Sequence, residues 1–309
     1  MEGLVNFYKP KGWRNFEILK FFKQLSPTAE KIGHGGTLDP LAEGVMVIGL
    51  GRKFTKKLQE VLLQSKKEYL AEIELGKVSN TYDAEGPLET SEVITKPTEK
   101  EITKVIENNL LGQHTQVPPL FSAKKIGGQR AADIARTGKT VKLRPQIVTL
   151  FSYKILDYHF PNLKLKLLVS SGFYIRSFVH TLGQKVKAGA YLKQLKRTAI
   201  YTSTETFSAN QSLAPADFQE KFELKGWVSG NVQGVGFRFF LYSLARKLDI
   251  TGTVTNQPDG SVSFTAQGKK ESIEQFAKQA KYGPASAKVD DYSFIYQKPK
   301  VILNSFTIL

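Results

Sequence analysis

Cysteine is absent from the 309 residues, and the chain holds only four histidines, two methionines and two tryptophans. Disulfides, thiolate nucleophiles and cysteine zinc ligands are therefore excluded. His34, His114, His159 and His180 are the only imidazoles, and no two stand four residues apart as a helical ligand pair would. Neither a metal nor a cofactor is expected. The chain also lacks any run of about eighteen apolar residues, and its opening, MEGLVNFYKP, lacks the charged-then-apolar pattern of a secretion signal. The expectation is a soluble, cytoplasmic chain with no membrane partner, acting as a monomer.

Positive charge is what the chain has in excess. Lys and Arg number 44 against 28 Asp and Glu, a formal net charge of +16. Such an excess calls for a polyanionic partner, nucleic acid before a membrane surface. From Lys221 to Leu309 there are 12 basic against 7 acidic residues, or +5, so +11 belongs to the part before. A length of 309 suits two domains.

Apolar spacing over FEILKFFKQL (Phe16 to Leu25) and FTKKLQEVLLQ (Phe54 to Gln64) predicts helices, whereas EYLAEIEL (Glu68 to Leu75) alternates as a half-buried strand does. Thr98 followed by Glu101 predicts a capping box opening a helix to about Leu111. Two strands are expected from Gln146 to Ser170, broken at Phe160, Pro161 and Asn162, then a helix from about Tyr174 to Lys187. Near SANQSLAPADFQEKF the pattern lapses, and beyond it comes a compact strand, helix, strand, strand, helix, strand, strand order. That places a boundary near Phe218 and gives domains 1–218 and 219–309.

The stretch GHGGTLDPLAEGV presents one carboxylate, Asp39, between Leu38 and Pro40. By itself an aspartate so placed reads as a turn or cap residue. Three further segments stand beside it: KKEYLAEIELGKVSNTYDAEG (Lys66 to Gly86), TQVPPLFSAKKIGGQRAADIARTG (Thr115 to Gly138) and SSGFYIRSFVHTLGQ (Ser171 to Gln184). In order, spacing and wording the four together resemble the bacterial tRNA pseudouridine synthase B family, from Leu4 to about Ile200. The resemblance implies isomerisation of the T-loop uridine at tRNA position 55, with Asp39 as nucleophile on either the ribose or the base. The base must leave the stack to be turned, so a pocket must receive it. A carboxylate near RNA phosphates needs a cation to stay ionised, and the family match for that cation is Arg176. Tyr69 matches the tyrosine that stacks on the base and assists proton removal. His34 matches a histidine near the extruded nucleotide, with glycines 33, 35 and 36 letting backbone approach the RNA. Leu195 matches an apolar pocket-lining position, Tyr174, two residues before Arg176, either lines the pocket or packs in the core, and Lys124 and Arg130 suit phosphate contact. Arg14 and Asn15 stand where the family has threonine and serine, and Ala132 where an aromatic is common.

The family's usual RNA-binding domain is not recognisable after Phe218. GNVQGVGFRFF (Gly230 to Phe240) instead places a glycine-rich loop between an apolar strand and a helix, which aims backbone N–H groups at one spot. Followed by TGTVTNQPDGSVSFTAQG and YGPASAKV, the region from about Lys221 resembles acylphosphatase. That resemblance implies a phosphate loop of Gln233, Gly234, Val235, Gly236 and Phe237, with Arg238 clamping phosphoryl oxygens, Asn256 orienting water, and a small acyl phosphate as substrate. The fold class expected is α+β: a mixed-sheet pseudouridine synthase catalytic domain followed by a ferredoxin-like α/β sandwich. Two rival readings are an RNA-binding or tRNA-folding protein whose catalysis is incidental, and an acylphosphatase anchored by a basic domain.

Overall fold

The structure, a computed structural model, describes residues 1–26, 29–122, 125–126, 129–131, 134, 143–219 and 221–309. In chain order the first elements are β1 (Gly3–Lys9), α1 (Asn15–Leu25), β2 (Ile32–Gly35), β3 (Ala42–Leu50), α2 (Arg52–Leu63), β4 (Lys66–Leu75), β5 (Lys77–Ser79) and β6 (Leu88–Thr90). Then come α3 (Glu99–Asn109), β7 (Gly112–Gln116), β8 (Lys125–Ile126), β9 (Gln129–Arg130), β10 (Gln146–His159), β11 (Asn162–Ser170), α4 (Ile175–Lys185) and β12 (Ala190–Tyr201). The last are β13 (Thr206–Ser208), β14 (Lys221–Asn231), α5 (Phe237–Lys247), β15 (Thr251–Asn256), β16 (Val262–Lys269), α6 (Lys270–Ala280), β17 (Lys288–Gln297) and β18 (Phe306–Ile308). The mixture is the α+β class expected. Among the described residues no helix is long and apolar enough to cross a membrane.

The chain folds into two compact units. One comprises Met1–Pro40, Gly44–Leu62 and Thr206–Leu309, the other Leu41–Glu43 and Leu63–Glu205. Residues 219–309 lie whole within the first unit, together with the first forty residues of the chain.

In the first unit the strands run in the order β18, β15, β16, β14, β17, β1, β3, with β2 on β3. The pairs β15–β18 and β1–β17 are parallel and the rest antiparallel. After the boundary the order β14, α5, β15, β16, α6, β17, β18 is the one the restarting pattern predicts. α6 buries Ile273, Phe276, Ala277 and Ala280 and packs on β14 and β16, while α5 buries Phe237, Leu241, Leu244 and Ala245 and packs on β15 and β18. The lapse around residue 210 is two 3-10 turns, Ala209–Gln211 and Pro215–Gln219, and not a loose tether. Leu213 exchanges main-chain hydrogen bonds with β1, donating to the Asn6 carbonyl at 2.8 Å and accepting from the Tyr8 N–H at 2.9 Å. Phe218 then packs its ring 5.5 Å from both Phe21 and Phe22 and 6.4 Å from Phe7.

The second unit is an antiparallel sheet in the order β12, β4, β11, β10, β7. The alternation read in β4 is real, since Tyr69, Ala71, Ile73 and Leu75 share one buried face with Lys67. α4 packs on β12. α3 opens as expected, with the Thr98 hydroxyl accepting from the Glu101 N–H at 3.3 Å and Glu101 accepting from the Thr98 N–H at 2.7 Å.

Candidate functional sites

The Asp39 loop joins β2 to β3 in the first unit and is fixed on both sides of the aspartate. Leu38 is buried. The Pro40 carbonyl accepts from the Gly12 N–H at 2.8 Å and from the Lys9 ammonium at 3.3 Å. Lys9 is wholly buried and also donates to the Pro10 carbonyl at 3.1 Å. The Lys-Pro-Lys-Gly run at the end of β1 is thus a clamp on the aspartate loop. A buried ammonium is tolerated there because carbonyl oxygens accept its hydrogen bonds. Asp39 itself is half-buried, as is His34 on β2. Two of the neighbouring glycines stand where the chain comes close to α2. A Cβ on Gly35 would meet the Leu62 side chain at 1.9 Å, and one on Gly33 would lie 3.2 Å from Thr55. Both leave room for α2. Gly36, at φ +67, is where the backbone needs a residue tolerant of the left-handed region.

The second unit holds Tyr69, Tyr174, Arg176 and Leu195. Tyr69 on β4 lies opposite Arg197 of β12, and Ala71 opposite Leu195, so tyrosine and leucine come from adjacent strands. Arg197 is fully buried. Its Nη1 donates to the Tyr69 hydroxyl at 3.4 Å, and its guanidinium carbon stands 5.9 Å from the tyrosine ring centroid. Lys67, two residues before Tyr69 on the same face, donates to the Ser65 hydroxyl at 3.0 Å and the Ser171 hydroxyl at 3.1 Å. Burial, helped by the charge of Arg197, pulls its pKa down to about 8.

Arg176 sits in the first turn of α4, where its guanidinium reaches back across three acceptors. Nη1 donates to the Thr81 carbonyl at 3.1 Å and lies 3.4 Å from the Asp83 carboxylate; Nη2 donates to the Phe121 carbonyl at 3.0 Å. Tyr174, half-buried, caps the same helix. Its N–H donates to Oε1 of Gln116 at 2.8 Å, and its carbonyl accepts from Nε2 of Gln116 at 3.0 Å. The backbone of Arg130 lies in the short ribbon β8–β9, with its side chain outside the described residues, and Lys124 and Ala132 lie outside them altogether.

Sequence reasoning missed Lys67, Asp83, Gln116 and Arg197. Two of them carried a signal. Lys67 falls in step with Tyr69, Ala71, Ile73 and Leu75, and Arg197 in step with Leu195, so period-two spacing places both cations on the apolar face. A charge in that position is a functional-site candidate.

The loop between β14 and α5 belongs to the first unit. Gly234 at φ +74 and Gly236 at φ +78 turn the chain, and nothing lies within 4 Å of a Cβ built on either, so this face is open to a ligand. Both ends are anchored. The Gln233 side chain donates to the Gln257 and Ser261 carbonyls at 2.9 and 2.8 Å, and the Ser286 hydroxyl donates to the Val235 carbonyl at 2.8 Å. Phe237 is buried and pins the helix start. Arg238 follows in the first helical turn, half-buried, with Nη1 donating to the Leu309 main-chain oxygen at 3.1 Å. Asn256 ends β15, half-buried and opposite Val262. Gln233 thus ties the loop to the turn that begins immediately after Asn256.

Comparison with known proteins gives two matches along the chain. A family model described as TruB family pseudouridylate synthase (N terminal domain) matches residues 23–175, and an acylphosphatase model matches residues 224–308. The tRNA pseudouridine synthase B of Clostridium tetani is 35% identical over 221 residues, covering 72% of this chain and 74% of that protein. That of Bacteroides fragilis is 36% identical over 228 residues, covering 71% of this chain and 94% of that protein. Among solved structures, a Cbf5-Nop10-Gar1 complex matches with a TM-score of 0.52 and 26% identity over 70% of this chain; the chain spans about half, 53%, of its counterpart there.

Proposed function

Because the chain belongs to the tRNA pseudouridine synthase B family and carries an acylphosphatase match behind the synthase segment, we propose that it converts the T-loop uridine at tRNA position 55 to pseudouridine and hydrolyses a small acyl phosphate. It works as a cytoplasmic monomer, with the isomerase in residues 1–218 and the hydrolase in 219–309. The observation that carries the first activity is the clamp on the Asp39 loop. A buried lysine and a backbone N–H hold Pro40, Leu38 is anchored in the core, and the carboxylate between them stays half-exposed.

In this reading Asp39 attacks the ribose or the base of the extruded uridine. The bond from C1′ to N1 breaks with its electron pair going to the uracil, the uracil turns, and C5 bonds to C1′; the bond that Asp39 formed breaks and returns its carboxylate, C5 loses its proton and N1 gains one. Nothing is oxidised or reduced. Tyr69 lies against the base, held by the hydrogen bond from Arg197, and takes part in removing the C5 proton. Arg176 keeps negative charge favourable in the site. Leu195 and Tyr174 line the pocket, while His34, Lys124 and Arg130 contact RNA.

In the hydrolase, the N–H groups of Gln233 to Phe237 and the Arg238 guanidinium hold the phosphoryl oxygens, and Asn256 orients the water that attacks phosphorus. The carboxylate leaves with the electrons of the broken P–O bond. Positioning and charge stabilisation suffice because the leaving group is good.

Incubating the full chain with unmodified tRNA and mapping pseudouridine by carbodiimide-dependent reverse-transcription stops tests the isomerase. A stop at position 55 that disappears with Asp39→Asn is expected. No pseudouridine anywhere in the tRNA would overturn the reading.

A further inference from the structure

β1 has two neighbours within the first unit. On one edge it runs antiparallel to β3, from Gly3 opposite Leu50 to Lys9 opposite Gly44. On the other it runs parallel to β17, with Leu4 opposite Ile295 and Val5 opposite Tyr296. β17 is paired on its far side with β14, from Glu223 opposite Gln297 to Asn231 opposite Lys288. The strand that opens the synthase segment therefore covers an edge of the acylphosphatase sheet that would otherwise present unpaired N–H and C=O groups.

The seam is tight and specifically bonded. Gly3, at φ +149, is a point of close approach, where a Cβ would lie 2.7 Å from the Phe294 carbonyl oxygen and 2.9 Å from the Tyr296 ring. The Glu2 carboxylate accepts from Lys281 at 2.9 Å and from the Tyr292 hydroxyl at 2.8 Å. Burial opposes ionisation of Glu2, but those two hydrogen bonds and the charges of Lys281 and Lys53 hold its pKa below the usual carboxylate range. Lys53, in the first turn of α2, reaches Asp291 at 2.5 Å, bonds the Tyr292 carbonyl, and stands 3.6 Å from the Tyr292 ring centroid. The far end of β1, about 20 Å along a seven-residue strand, is the Lys9 clamp on Pro40.

We propose that the acylphosphatase sheet has a second role: through β17 it holds β1, and β1 positions the Asp39 loop, so that pseudouridine formation requires the fold of the C-terminal segment. An edge strand paired on one side only opens more readily, and a frayed β1 releases both Lys9 and Gly12 from the Pro40 carbonyl. The C-terminal segment thereby supports the isomerase by anchoring its nucleophile from behind. The role rests on the reading of Asp39 as that nucleophile.

The test uses the full chain and Gly3→Val, which drives a branched side chain into β17 and leaves every proposed site residue in place. Four quantities are read: amide exchange in the peptide from Gly36 to Leu41, single-turnover pseudouridine formation, tRNA Kd, and acetyl phosphate hydrolysis. Exchange about tenfold faster and isomerisation about tenfold slower are expected, with Kd and hydrolysis within about twofold of wild type. Unchanged exchange and isomerisation in Gly3→Val would overturn the proposal. Should Gly3→Val not fold, the Glu2→Lys and Lys281→Glu variants and their combination decide. Each single reversal slows isomerisation and the double swap restores it; neutral singles, or a double that fails to recover, overturn it. If wild type itself makes no pseudouridine, the proposed function fails, while exchange at the Asp39 loop still reports whether the seam positions it.

Discussion

The guanidinium of Arg176 stands 3.4 Å from the carboxylate of Asp83, and only 6% and 1% of the two side chains are exposed. A pair this deep has lost its water, so neither charge is affordable without the other. Asp83→Ala is expected to destabilise the chain by about 3–5 kcal/mol, because it strands a buried cation. Urea unfolding measures it, and a loss under about 1 kcal/mol would show that the pair behaves as an exposed one. Arg176→Lys is expected to slow isomerisation by about a hundredfold, since one ammonium cannot span the Thr81 carbonyl, the Phe121 carbonyl and Asp83 at once.

Lys67 makes stability depend on pH in an unusual window. Its folded pKa is about 8, against 10.5 for the ordinary side chain, with burial the main cause and Arg197 the second. Between those values the unfolded chain keeps a proton that the folded chain has given up, so stability rises with pH across the window; below pH 8 both states are protonated and the penalty is constant. The difference amounts to about 3 kcal/mol. Lys67→Met is expected to remove this rise. Unfolding curves for both proteins from pH 7 to 10.5 check it, and parallel pH profiles would count against the buried-cation account.

These two sites also show what the sequence reveals. Alternation marks which residues of β4 face inward, and the spacing of Thr98 and Glu101 marks where α3 begins, because both signals are local. The order of the C-terminal elements is legible for the same reason. Arg176 and Asp83 are 93 positions apart, and no periodicity relates them. The β1–β17 pairing lies still further off: period-two spacing says that Leu4 or Ile295 is inward, never which strand lies beside it. Gly33 and Gly35 admit two readings in the sequence, because close approach to a helix and close approach to a ligand ask for the same residue. Lys9 was visible within its Lys-Pro-Lys-Gly run, but only the fold shows its ammonium meeting the Pro40 carbonyl.

The charge of +11 carried before Lys221 predicts a strongly salt-dependent complex with tRNA. Each phosphate neutralised releases condensed counterions, so log affinity falls linearly with log salt. With six such contacts, affinity drops about a thousandfold between about 50 and 200 mM salt. Filter binding of tRNA by the full chain at several salt concentrations gives the slope. A constant that ignores salt would remove phosphate contact from the account.

The hydrolase is expected to separate binding from rate in three side chains of the full chain, assayed with acetyl phosphate in the presence of a chelator. The full chain is used because β1 pairs with β17 within one compact unit, so hydrolysis is read with that edge of the sheet covered. In the proposed hydrolase Arg238 meets the phosphoryl group both before and during reaction, and on that reading Arg238→Ala should raise KM and lower kcat together. Asn256 in the same reading acts on water, whose order matters chiefly in the transition state; Asn256→Ala should lower kcat by about a hundredfold with KM nearly unchanged. Gln233 is the informative third. Its side chain touches no phosphate in this reading but bonds the Gln257 and Ser261 carbonyls, tying the phosphate loop to the turn that follows Asn256. Gln233→Ala should lower kcat by about tenfold, because a loop free to drift loses the alignment between phosphorus and water. Glu at the same position keeps the length but brings carboxylate oxygens against two carbonyls, so Gln233→Glu should be at least as damaging. If Asn256→Ala hydrolysed acetyl phosphate as fast as wild type, or if the folded wild-type chain hydrolysed none, the C-terminal segment would be a scaffold for β1 and not an enzyme in its own right.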